Sequence, residues 1–312
     1  MYNSNQKQHK MIEFMRIPDN KRMHIHNPSD ILNITKDITE IYLHCLCEEY
    51  ITYLPSHIES ILIYNRCDTE LNNLPPNLKK LYLGHNYNYP LYYLPDTLEY
   101  LCICYKYSQD LLHLPKKIKI LELYTNNIKN INLDLPNLTI LSVISLIGND
   151  TMYENIMNIY NQLYRVKNTL KELYFPPNFR ENLDILENFT VLEKLSYKHN
   201  TKIDKFPPNL KVLELIYYDH PLDNLPDTVQ TLILGTYFKQ DLNILPKNLK
   251  VLNMSKNIDC NLFVNYPETL EELIIIETHP DRYHICGYEK YKFKITLIED
   301  VEDRCKDLVF AN

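Results

Sequence analysis

Glycine is scarce in this chain of 312 residues, with four in all: Gly84, Gly148, Gly235 and Gly287. Phosphate-cradling loops need glycines close together, and neither G-x-x-x-x-G-K-[ST] nor G-x-G-x-x-G is present. The hydrolase patterns H-E-x-x-H and G-x-S-x-G are absent too. Alanine occurs once, at Ala311. No run of 18 apolar residues exists, so no membrane-spanning helix is expected. Residues 1–10 are polar and lack the apolar stretch of a secretory signal. A basic excess is also missing: the formal net charge is -7, and the sequence pI is about 5.9. Nucleic-acid binders carry a clustered basic face, whereas the lysines here are spread among glutamates. The expectation is a cytoplasmic protein whose partner is neither nucleic acid nor membrane. In that reducing compartment its eight cysteines should be free thiols.

Apolar residues make up 45% of the chain, enough for a large core. Asn, Ile, Tyr and Lys are abundant, a bias that fits an AT-rich coding genome. The dominant feature is a repeat. The pattern L-x-x-L-x-L starts at Ile38, Ile58, Leu78, Leu98, Ile118 and Leu138, in steps of 20. After a step of 32 it resumes at Leu170, Leu192, Leu210, Val229, Leu249 and Leu270. Twelve units with one long step are the signature of a stacked array, in which each coil buries its apolar face on its neighbours.

Within a unit the last two apolar positions alternate with others, as in Leu81 and Leu83 or Leu121 and Leu123. This is the period of a strand with one buried face. Leu-Pro precedes many units, at Leu54-Pro55, Leu74-Pro75, Leu94-Pro95, Leu114-Pro115, Leu225-Pro226 and Leu245-Pro246, with Phe206-Pro207 and Tyr266-Pro267 as variants. Proline has no N–H and drives the preceding residue towards extended geometry. A helix on the return path is thereby blocked, and a coil can close in about 20 residues. Asn86, Asn126, Asn178, Asn200 and Asn257 fall where a side chain can bond the backbone of a neighbouring turn.

The segment Tyr87-Asn88-Tyr89-Pro90-Leu91, followed by Leu94-Pro95, resembles the FNIP repeat, whose pattern is aromatic-Asn-x-Pro-Leu ahead of Leu-Pro. Further copies are Tyr107-Ser108-Gln109-Asp110-Leu111, Tyr218-Asp219-His220-Pro221-Leu222 and Phe238-Lys239-Gln240-Asp241-Leu242. The resemblance covers residues 54–116 and 206–254. FNIP repeats resemble leucine-rich repeats and occur widely in social amoebae and giant DNA viruses, so the resemblance implies a viral or amoebal protein, in the host cytoplasm if viral. The short units also resemble the LP-type repeats of bacterial effector proteins. Some FNIP proteins carry an F-box and look like substrate receptors of ubiquitin ligases. The alternative role implied is therefore a ligase adaptor, although the roughly thirty residues ahead of the first unit are too few for a helical F-box.

The fold expected is a leucine-rich-repeat solenoid of the α/β type, mostly parallel β with an irregular or short-helical convex side. Residues 1–35 should form a disordered start and an N-terminal cap, 36–276 the repeats, and 277–312 a C-terminal cap. A last strand is expected over 291–298. The long step should host a helical insertion near 145–166: Thr151-x-x-Glu154 reads as a capping box, and Met152, Ile156, Ile159, Tyr160 and Leu163 follow at helical spacing. A second short helix is expected over 183–187.

No catalytic constellation emerges, and no cofactor is expected. Metal-like spacings are confined to His44-Cys45-Leu46-Cys47, Cys102-Ile103-Cys104 and His284-Ile285-Cys286. Each lacks the four convergent ligands of structural zinc, so no metal site is assigned. The function read from the sequence is non-enzymatic protein binding on the concave sheet face. In x-L-x-L-x the leucines point inward and the x positions outward. The outward positions place Tyr42, Tyr64, Tyr82, Tyr100, Ile120, Tyr124, Ile144 and Tyr174 in a partner-binding stripe. Tyrosine combines apolar area with a polar tip and is favoured at binding hot spots. A β-sheet also accepts tyrosine for packing alone, and this chain has 26.

Overall fold

The computed structural model describes residues 19–44, 51–64, 69–84, 86–103, 106–124, 128, 130–144, 151–177, 179–242, 244–255, 266–277 and 294–299. The expected disordered start, most of the C-terminal cap, and Asn126, Asn178 and Asn257 lie outside these residues. So does every cysteine except Cys102, which is a buried thiol. The chain divides into two units, Met1–Leu170 and Lys171–Asn312.

Among the described residues, the first unit carries seven strands: β1 (Arg22–Ile25), β2 (Glu40–Leu43), β3 (Ser60–Ile63), β4 (Lys80–Leu83), β5 (Tyr100–Ile103), β6 (Ile120–Leu123) and β7 (Ile140–Val143). Each pairs in parallel with the next in sequence. The second unit carries β8 (Glu172–Tyr174), β9 (Lys194–Tyr197), β10 (Val212–Leu215), β11 (Thr231–Leu234), β12 (Val251–Ser255), β13 (Glu272–Glu277) and β14 (Lys294–Glu299), also parallel and in chain order. This is a leucine-rich-repeat solenoid fold with little helix. All twelve repeats read from the sequence contribute a strand, and each strand begins two residues after the first leucine-like position.

The array begins one strand earlier than the repeat pattern indicates. β1 lies in the stretch expected to be a cap, and its Ile25 is fully buried. The first leucine-like position of this coil is Asn20, so the unit is silent in the repeat pattern although Arg22-Met23-His24-Ile25 alternates as a strand should.

Register builds the core. In register, Ile41, Ile61, Leu81, Leu101, Leu121 and Leu141 point inward and are fully buried. Each contributes about 1.5–3 kcal/mol of apolar burial. Proline closes the turn into eight of the twelve repeat strands. The Pro55 carbonyl accepts the Ile58 N–H, and Pro75, Pro95, Pro115, Pro226 and Pro246 repeat the bond to the residue three further on.

A polar ladder runs beside these turns. The residue just before the first leucine donates its side chain to a carbonyl of the preceding coil: Asn77 Nδ2 to Ser56 O at 3.0 Å, Thr97 Oγ1 to Pro76 O at 2.8 Å, and Asn209 Nδ2 to Thr190 O at 2.7 Å. Thr228, Asn248 and Thr269 do the same. The turn carbonyls, which have no strand partner, are satisfied in this way.

The helical insertion is α1 (Thr151–Tyr160), followed by a 3-10 segment at Leu163–Val166. Ile156, Ile159, Leu163 and Val166 are buried. The Gln162 amide clamps the return path of the preceding coil, accepting the Leu133 N–H at 3.1 Å and donating to Ile131 O at 2.6 Å. The insertion therefore covers the first unit's core. The short helix expected over 183–187 is a 3-10 segment at Asp184–Asn188.

Candidate binding face

Three outward rows cross the first unit. The first holds Arg22, Glu40, Ser60, Lys80, Tyr100, Ile120 and Ile140. The second holds His24, Tyr42, Leu62, Tyr82, Cys102, Glu122 and Ser142. The residues just past the strands form the third, in which His44, Tyr64, Tyr124 and Ile144 each donate a backbone N–H to the preceding strand.

The rows are less open than outward direction alone implies. Tyr42 keeps 4% of its surface exposed, Leu62 5% and Cys102 none. Strands lie about 4.8 Å apart, so large side chains on adjacent coils shield a residue between them. The expected stripe is corrected accordingly. Tyr42 is core rather than surface, and Tyr174 on β8, in the second unit, is also buried, with the Lys194 ammonium over its ring at 5.2 Å. Tyr64, Tyr82, Tyr100, Ile120, Tyr124 and Ile144 are half-buried. Tyr64, Tyr82 and Tyr100 pack against the Tyr42–Leu62 pair, and Tyr100 pairs across the sheet with Ile120.

Carboxylates that the sequence reading passed over orient these rings. Glu122, 3% exposed, accepts the Tyr100 hydroxyl at 3.0 Å and the Tyr124 hydroxyl at 3.3 Å. Glu40 is fully buried, accepts Tyr42 Oη–H at 2.8 Å and Ser60 Oγ–H at 3.0 Å, and pairs with Arg22 Nε at 3.0 Å. A carboxylate withdrawn from water needs such partners. Burial, followed for Tyr42 by its bond to Glu40, pushes the Tyr42, Tyr64 and Tyr100 hydroxyls above the usual tyrosine range. They stay protonated, able to donate a hydrogen bond at neutral pH.

The fold also brings His24, His26 and His44 together, with one ring nitrogen from each inside a group spanning 4.8 Å. His24 Nδ1 and His44 Nε2 are 2.8 Å apart. Burial first, then the His26 and His24 charges, holds the His44 imidazole below its ordinary value. His24-x-His26 puts two rings on one face of a strand, and His44 falls in the His26 row. Spacings built around cysteine did not include this set.

The return path explains the aromatic-Asn-x-Pro-Leu motif. Tyr87, Tyr107, Tyr218 and Phe238 are fully buried, and Tyr87 and Tyr107 stack with centroids 6.3 Å apart. The next residue is a rung. Asn88 Oδ1 accepts the Ser108 N–H at 2.8 Å, Asn200 Oδ1 that of Asp219 at 2.7 Å, and Asp219 Oδ1 that of Lys239 at 2.8 Å. Of the asparagines expected in this role, Asn200 fills it. Asn86 makes no such bond among the described residues; Asn88, directly after the buried aromatic, makes it instead. The FNIP repeat profile matches residues 64–106, 197–237 and 218–257. These segments are similar to FNIP repeats.

Among solved structures, the chain is similar to CroV588, a circular leucine-rich-repeat protein of the giant virus CroV, at 21% identity and a TM-score of 0.57. The match covers 78% of this chain and 37% of CroV588, so the chain spans little more than a third of that protein's length. YopM from Yersinia enterocolitica WA-314 matches at 19% identity and a TM-score of 0.48, over 83% of this chain and 54% of YopM. No curated protein sequence matches. At these identities the likeness concerns the fold alone.

Proposed function

We propose that the chain is a non-enzymatic scaffold, working in a cytoplasm, that holds a protein partner on the outer sheet face of its first unit. Repeat folds of this type are typical of protein-interaction scaffolds. The observation that carries the reading is the group of half-buried rings at Tyr64, Tyr82, Tyr100 and Tyr124, two of them oriented by Glu122. Their ordering entropy is already spent in the unbound protein, and preorganised aromatic area of this kind favours binding.

The experiment is affinity capture from infected or host cells, comparing the natural chain with a Tyr64→Ser/Tyr82→Ser variant. A partner lost with the variant supports the reading, and a partner retained unchanged opposes it. The adaptor role implied by the FNIP resemblance would appear as ligase subunits in the same capture.

A further inference from the structure

We infer that His24, His26 and His44 form a site for a late first-row divalent metal ion, with zinc as the reference ion. The inference is independent of the partner-binding proposal. Strand geometry makes the site: His24 and His26 alternate onto one face of β1 and its extension, and His44 lies beside His26 one coil along. Their nitrogens fall within 4.8 Å of one another. Tetrahedral zinc with Zn–N bonds of 2.0–2.1 Å holds its ligand nitrogens roughly 3.4 Å apart. The three rings stack with centroids 4.3–6.2 Å apart, so ligation requires them to turn out of the stack, opening the 2.8 Å His24–His44 contact and closing the wider ones. His24 and His26 are exposed and have room to turn.

The surroundings hold the backbone under these rings. The Asp30 carboxylate accepts the N–H of His26 at 2.8 Å and of Asn27 at 2.9 Å, fixing the chain directly after β1. Tyr42 lies under the group, with its ring 4.7 Å from that of His24, and Tyr64 flanks His44 at 5.1 Å. Glu40 neutralises the nearby Arg22 guanidinium. Three neutral imidazoles suit copper, nickel and zinc and disfavour magnesium and calcium, which prefer oxygen. Three protein ligands leave a fourth position for water or a partner's donor group.

The test uses the full chain without a polyhistidine tag. Zinc is titrated at neutral pH against a chromophoric chelator, and histidine protection from diethyl pyrocarbonate is read by mass spectrometry. One equivalent is expected, with zinc-dependent protection of His24, His26 and His44. His26→Gln, at an exposed position, should weaken binding by at least about 100-fold without changing the circular dichroism spectrum. Cys45→Ser/Cys47→Ser should leave binding intact. Absence of stoichiometric binding, absence of protection in the natural chain, binding that survives His26→Gln, or loss in the cysteine variant would each overturn the three-imidazole site.

Discussion

The side-chain oxygen of Asn200 lies 2.7 Å from the backbone nitrogen of Asp219, one coil further along the second unit. Asp219 repeats the bond to Lys239, so three consecutive coils are joined by side chains at one position of the repeat. Asn200→Ala removes the acceptor and leaves the Asp219 N–H dependent on water. The expected cost is about 1 kcal/mol, read as a lower urea midpoint. Asn200→Asp, which keeps the oxygen, should recover most of it.

Gly235 follows β11, and Gly84 holds the corresponding place after β4. A Cβ at Gly235 would meet the Ile216 carbonyl oxygen at 1.8 Å, and one at Gly84 would meet that of Ile63 at 2.4 Å. The obstacle is backbone of the adjacent coil, which cannot rotate aside. Gly235→Ala should cost about 3 kcal/mol, at the upper end for overpacking, and Gly84→Ala somewhat less. Urea unfolding of both variants checks the order.

Leu121 sits at the centre of the first unit with no exposed surface. Leu121→Asp places an uncompensated carboxylate there and should cost several kcal/mol. Glu122, the adjacent outward residue, is also buried but is met by two tyrosine hydroxyls. Loss of soluble expression for Leu121→Asp, alongside a well-folded Leu121→Met control, is the expected outcome.

Burial, and then the Arg180 charge, holds His199 below the usual histidine range; burial acts likewise on His44. A depressed histidine is neutral in both folded and unfolded chains above its unfolded value of about 6.5. As pH falls below that value the unfolded chain takes up the proton first, so stability declines until the folded value is passed. Asp30, Asp134, Asp227 and Glu272 are held low by hydrogen bonds, so their contributions are lost only in more acidic solution, as pH falls below the ordinary carboxylate range towards their folded values. Melting temperature should therefore begin to fall near pH 6.5, and His199→Asn should reduce the decline between pH 6.5 and 5.5.

The strands were legible because their signal is redundant: apolar alternation, Leu-Pro and a step near 20 residues all give one register. β1 was not, because its coil keeps the alternation but carries Asn20 where the repeat has its first leucine. The Asn and Thr ladder at Asn77, Thr97 and Asn209 stands in plain view in the sequence. Its role depends on which carbonyl of the preceding coil lies within reach, which only three-dimensional stacking reveals. Tyr42 and Tyr174 illustrate the converse: periodicity gives a side chain's direction, whereas exposure depends on the size of neighbours 20 residues away. The histidine group was hidden for the same reason, since His26 and His44 become adjacent only through the parallel pairing of β1 with β2.

The proposed binding face is tested most directly by the dissociation constant of the captured partner for two variants. Tyr100 and Tyr124 hold the buried Glu122, so changing them would disturb the fold. Tyr64 and Tyr82 are the cleaner probes. Tyr92 and Tyr93, 65% and 64% exposed on the return path, provide the control. Tyr64→Ser/Tyr82→Ser should weaken binding by about 100-fold, the size of two modest hot-spot losses, while Tyr92→Ser/Tyr93→Ser leaves it unchanged. Unaltered affinity in the first variant, or its loss in the second, would contradict binding on the outer sheet face.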